Sequence, residues 1–141
     1  MMRAIPDDLK AHFERLITAL HARVPSVMGC VIATVDGRLV SSIVDNEADP
    51  KRLSAMAGSM VALGETIGRE VQIGRSQSVV VSALNGLVLL QRVPAKRDLL
   101  VVGTLARTNA SLGTVLHETR STAQAVAEVL DQWLDQFTPS A

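Results

Sequence analysis

The sequence predicts an α+β domain built on one antiparallel sheet. Three observations carry this expectation: two hairpin signals, Asp36-Gly37 and Asn85-Gly86, each sit between β-branched runs; three segments carry apolar residues at helical spacing; and the two kinds of segment follow one another as αββαβββα. Hairpins force antiparallel pairing, and helices between them must bury their apolar stripes on the sheet's faces. The 141 residues fit one domain, 1–141, large enough to bury a real core, and show no linker, repeat or low-complexity segment.

Helix one is expected over 7–22, where Leu9, Phe13, Leu16, Ile17 and Leu20 recur at helical spacing behind Pro6, Asp7 and Asp8. Strands one and two follow as GCVIATV (29–35) and RLVSSI (38–43) around Asp36-Gly37. VDNEADP (44–50) is polar and turn-rich, with Asp49 as the cap and Pro50 as the first residue of helix two, which runs to about Glu70. SQSVVVSA (76–83) and LVLLQRV (87–93) flank Asn85-Gly86, and LLVVGTL (99–105) supplies strand five. From Leu112 to Phe137 an apolar stripe marks helix three, the longest.

Helix two poses a problem. Its segment AMAGSMVALGETIG (55–68) holds Gly58, Gly64 and Gly68, which together cost a free helix about 3 kcal/mol relative to alanine. At ~100° per residue, Leu53, Met56, Met60, Leu63 and Ile67 form a stripe expected to face the chain's own sheet. Ala55, Gly58, Ser59, Ala62 and Thr66 fall away from it, and no charge lies between Leu53 and Glu65. A helix small or apolar all round is buried on both sides, so this second face is expected to meet another chain closely enough to offset the glycine cost. The alternative is that Gly58 and Ala62 lie against a neighbouring helix of the same chain. Strand three, QSVVVSA, adds a short, flat, uncharged edge of the kind that invites pairing. The expected dimer interface is therefore Ala55, Gly58, Ser59, Ala62 and Thr66 with Ser78, Val80 and Ser82.

Composition narrows the function. Lysine plus arginine and aspartate plus glutamate number 14 each, and aromatics make up 2% of the chain. Neither a cationic surface for a phosphate backbone nor aromatic platforms for bases can be assembled, so no nucleic-acid partner is expected. Cys30 stands alone in an apolar run, as a buried, inert thiol would. No signal peptide and no continuous membrane-spanning run is visible, so no membrane insertion and a cytoplasmic location are expected. GSMVALGET lacks the glycine spacing and lysine of a phosphate-binding loop, His12, His21 and His117 lack metal-ligand spacing, and no serine lies in a nucleophile motif. The expectation is a non-enzyme without cofactor or metal. Arg38, Arg52, Arg69, Arg107 and Arg120 are candidates for a finger acting on a partner's site, though each also reads as a solvated charge.

The element order, the GCVIATVDGRLVSS hairpin, the small-residue helix RLSAMAGSMVALGETIGRE and the segment SVVVSALNGLVLLQRV together resemble the bacterial branch of the Roadblock (dynein light chain) family. The resemblance spans roughly residues 25 to 135. It implies a five-stranded antiparallel sheet with helix two on one face and helices one and three on the other. It also implies a homodimer or heterodimer through third strands and second helices. The family's members regulate small Ras-like GTPases by reshaping the partner's own site, or act as structural modules, so a homodimeric GTPase regulator or scaffold is the function the resemblance implies. On that reading, Lys51, Arg52, Glu65, Arg69 and Glu70 ring the apolar platform, with Arg52, Glu65 and Arg69 as GTPase-facing residues. The rivals are a purely structural dimerisation subunit and a small-molecule sensor, the latter disfavoured by small residues that press backbones together.

Overall fold

The computed structural model describes residues 5–137. Its elements are α1 (Asp7–Arg23), β1 (Val27–Thr34), β2 (Leu39–Val44), α2 (Pro50–Glu70), β3 (Ser78–Ala83), β4 (Gly86–Arg92), β5 (Leu100–Arg107) and α3 (Leu112–Asp135). The order is the expected αββαβββα. The helix starts are set by local chemistry. Asp49 accepts the Lys51 N–H at 3.0 Å with Pro50 in the first turn of α2, and Ser111 accepts the Thr114 N–H at 3.3 Å to open α3.

Five strands form one sheet in the order β2-β1-β5-β4-β3, every neighbouring pair antiparallel. β1 and β5 occupy its interior and are buried along nearly their whole length, which is why their sequences read as unbroken apolar runs rather than alternating ones. β2 and β3 are the two edges.

One face is covered by α1 and α3. Phe13, Ile17 and Leu20 of α1 meet Val126 and Leu130 of α3 over Cys30, Ile32 and Val102 of the sheet, all buried. A hydroxyl pair, Thr119 Oγ1 donating to Thr104 Oγ1 at 2.9 Å, pins α3 to β5 inside this layer. The other face carries α2, whose smaller cluster joins Ala57 and Val61 to Leu90 and Val101.

Both hairpins form, by different turns. At Asp36-Gly37 the chain closes through Gly37 N–H to Thr34 O at 2.9 Å, and Gly37 takes the left-handed region at φ 94°, as a three-residue hairpin loop requires. The Thr34 hydroxyl donates to Asp36 and holds its carboxyl below the usual range. At the second hairpin Ala83 pairs with Gly86, so the turn is Leu84-Asn85 and Gly86 is already the first residue of β4. Its lack of a side chain serves packing. A Cβ there would lie 2.5 Å from the Ala106 carbonyl oxygen of β5.

Candidate functional site

α2 sits on the sheet by a face rotated away from the one its hydrophobicity suggests. Ser54, Ala57, Gly58, Val61 and Gly68 are its buried residues. The glycines are what allow this seating. A Cβ on Gly58 would lie 2.8 Å from the Cα and N of Gly37 in the β1–β2 turn, and one on Gly68 would lie 2.3 Å from the Gly74 carbonyl oxygen. A Cβ on Gly64 would lie 2.9 Å from the Ser76 hydroxyl. The glycine cost of the helix is thus offset within the chain, by backbone packing directly against backbone. Gly58 accordingly leaves the expected dimer interface: it is buried against its own β1–β2 turn.

The stripe expected to face the sheet is instead turned sideways. Met56, Leu63 and Ile67 are 56%, 54% and 53% exposed, while Leu53 and Met60 are half-buried. Met60, like Val79 of β3 and Val88 of β4, packs against the cluster of Ala57, Val61, Leu90 and Val101, so this side of the helix lies toward the edge strand β3. Between helix and strand runs an apolar groove of about 510 Å³, lined by Leu53, Ala55, Met56, Ala57, Ser59 and Met60 from the helix and Val81, Val88 and Leu90 from the sheet.

The remaining expected interface residues lie on the surface. Ala55, Ser59, Ala62 and Thr66 are exposed on the crest of α2. The Ser59 and Thr66 hydroxyls donate to the Ala55 and Ala62 carbonyl oxygens of their own helix, at 3.3 and 3.1 Å. These bonds use up the hydroxyl hydrogens and make the crest nearly apolar. Ser78 is half-buried, and Val80 and Ser82 are exposed, on the edge strand.

Sequence reasoning missed how far this surface extends. Of the ten large apolar side chains exposed among the described residues, eight fall between Met56 and Leu84: Met56, Leu63, Ile67, Val71, Ile73, Val80, Val81 and Leu84. Scattered exposed apolar residues are ordinary, whereas a contiguous belt marks a binding surface. The signal was present in VQIG and ALNG, two turn segments each carrying an apolar residue where turns are usually polar.

Of the three charges assigned to a GTPase, Arg52 and Arg69 are exposed near the two ends of α2. Glu65 is drawn inward. It accepts from Arg92 Nη2 at 2.9 Å, and Arg92, 14% exposed, also reaches Asp98 at 2.6 Å and the Ser76 carbonyl at 2.8 Å. Glu65 thereby ties α2 to β4 and to the segment leading into β3, with Arg75 joining the network through Asp98.

The remaining candidates form no reactive constellation. His21 bonds Asp45 at 2.8 Å, and no group of three or more metal-binding side chains occurs among the described residues. Cys30 is fully buried, and burial pushes its thiol up to about 12. No described helix is long and apolar enough to cross a membrane.

No protein-family model and no curated protein sequence matches the chain. Solved structures do. A Roadblock/LC7 domain from Streptomyces avermitilis superposes with TM-score 0.75 at 22% identity, covering 83% of this chain and 96% of that one. Myxococcus xanthus MglB gives 0.78 at 11% identity over 99% of both chains. An MglB with a tetrameric arrangement gives 0.81 at 11% identity, over 92% and 95%. With the strand order and helix placement described above, these likenesses give the chain the Roadblock/LC7 fold.

Proposed function

We propose that this chain is a cytoplasmic, non-enzymatic homodimer that regulates or scaffolds a small Ras-like GTPase. The observation that carries the reading is the uncharged belt formed by the flank and crest of α2 together with the open edge of β3. Its flank, Met56, Met60, Leu63 and Ile67, lies toward the edge strand and forms the seam with a second copy. Its crest, Ala55, Ser59, Ala62 and Thr66, faces outward and supplies the platform. Arg52 and Arg69 flank that platform as a polar rim flanks an interface core. The fold shared with a Roadblock/LC7 domain supports the reading, as does the tetrameric arrangement of an MglB of the same fold.

Two measurements test it. Light scattering should return twice the chain mass. Titration calorimetry against a small GTPase encoded beside it should show binding at least tenfold tighter to the form loaded with a non-hydrolysable GTP analogue than to the GDP form, a preference of ~1.4 kcal/mol. Equal affinity for both forms would reduce the role to scaffolding. A dimer that binds neither form would favour a purely structural dimerisation subunit.

A further inference from the structure

The accessible sulfur of the chain is gathered on one surface; the inference drawn from this rests on the dimer reading above. Met28, Met56 and Met60 are the methionines among the described residues. Met56 and Met60 line the groove beside α2, and Met28 lines a second groove of about 360 Å³ at the Leu84 turn. Val81 and Val88 belong to both grooves, so the two form one continuous apolar surface. Met56 is its open sulfur: it is exposed, whereas Met28 and Met60 are half-buried.

The other sulfur, Cys30, is closed to oxidants. A thiol reacts as its thiolate, and Cys30 is fully buried in the layer under α1 and α3, where burial holds its proton on. A thioether has no proton to lose, so access decides whether it reacts. Oxidant chemistry on this fold is thereby directed to the apolar surface beside α2.

We propose that Met56 is a reversible oxidation site through which a peroxide opens the seam between two copies. A sulfur lone pair attacks one oxygen of hydrogen peroxide, and the O–O bond breaks as the S–O bond forms. The second oxygen leaves as hydroxide and removes the proton from the first, giving sulfoxide and water; the sulfur loses two electrons and the peroxide gains them. The product is a strong hydrogen-bond acceptor. Among the side chains lining the α2 groove the one donor is the Ser59 hydroxyl, and its hydrogen is already given to the Ala55 carbonyl oxygen at 3.3 Å. Closing the seam over the sulfoxide therefore buries an acceptor without a partner. Because the seam covers Met56 in the dimer, oxidation takes place on the separated chain and holds it apart until the oxygen is removed.

Dilute hydrogen peroxide on the full chain tests the site, with peptide mass spectrometry and sedimentation equilibrium read on the same samples. Met56 should take up oxygen at least tenfold faster than Met28 or Met60, and more slowly as chain concentration rises through the dimerisation range. Chain oxidised at Met56 should self-associate at least tenfold more weakly than untreated chain, and a methionine sulfoxide reductase should restore it. Met56→Gln, which places a polar group there without oxidant, should weaken association at least tenfold as well. Met56→Leu, whatever its own dimerisation constant, should hold that constant within about twofold through the same treatment. A dimer that keeps its strength with Met56 oxidised, or one in which Met28 or Met60 takes up oxygen as fast as Met56, would overturn the site and leave the dimer standing. An untreated chain that sediments as a monomer would overturn the dimer reading and the switch with it.

Discussion

The two faces of the sheet meet the same need, to be covered by helix, with opposite side-chain sizes. Under α1 and α3 the contact is made by Phe13, Ile17, Leu20 and Leu130, all fully buried. Under α2 it is made by serine, alanine, valine and glycine, and the large residues of that helix are left outside. The difference shows where the chain directs its hydrophobic surface. One helical layer buries its large side chains, while the other is seated by close backbone packing that leaves Met56, Leu63 and Ile67 exposed.

The contrast breaks most severely in the large-residue layer. Phe13→Ala should lower unfolding free energy by about 3 to 5 kcal/mol, read by denaturant titration; a loss below ~1 kcal/mol would mean that α1 is held by something other than this contact. A smaller loss is expected on the glycine side, and its sign is the informative part. Alanine is the better helix former by about 1 kcal/mol, yet Gly68→Ala should destabilise by about 1 to 3 kcal/mol because its Cβ would lie 2.3 Å from the Gly74 carbonyl oxygen. Stabilisation would show that the loop yields freely and that the close seating is incidental.

On the outer stripe the same helix should respond in the opposite way. Leu63→Lys, at a position 54% exposed, should weaken self-association at least tenfold in sedimentation equilibrium. Unfolding of the dilute, dissociated chain should change by no more than about 0.5 kcal/mol.

The smallest effect belongs to Cys30, in the large-residue layer. Its folded thiol titrates at about 12 against an ordinary 9.0, so the folded state holds the proton longer. The resulting stability is fully present below about pH 9 and declines as pH rises from there towards 12. At about pH 9.5 the loss is below about 1 kcal/mol. Cys30→Ala should flatten this alkaline decline in pH-dependent unfolding; an unchanged slope would assign it to other groups.

Much of this was legible in the sequence. The element order, the Asp49-Pro50 start of α2, both hairpins and the burial of Cys30 follow from local chemistry that acts within a few residues. The orientation of α2 does not. Its two stripes lie about a quarter turn or more apart, and hydrophobicity alone favours the one with Met56, Leu63 and Ile67 as the inward face. What decides against it is the approach of Gly37 and Gly74, residues outside the helix whose positions depend on the finished sheet. The same holds for Gly86, read as a turn residue and found pressed against Ala106, and for Glu65, whose partner Arg92 lies on another element. The edge position of β3 was suggested by its lack of charge, but which strand covers its other side becomes visible only once the pairing with β4 is known.

The strand order also governs how the chain can reach this state. β1 pairs with β5, joining residues as far apart as Val27 and Ala106, and α1 packs on α3. One of the two inner ladders of the sheet is therefore its most distant in sequence, and the entropy of closing that loop must be met before its contacts can form. During synthesis β1 and β2 emerge with no neighbour for the inner side of β1 until Leu100–Arg107 has been made. The β3–β4 hairpin, local and quick to form, waits with both of its long sides open. Refolding slower than that of a helical chain of this size follows, together with a window in which two nascent chains can pair through β4 as readily as through β3.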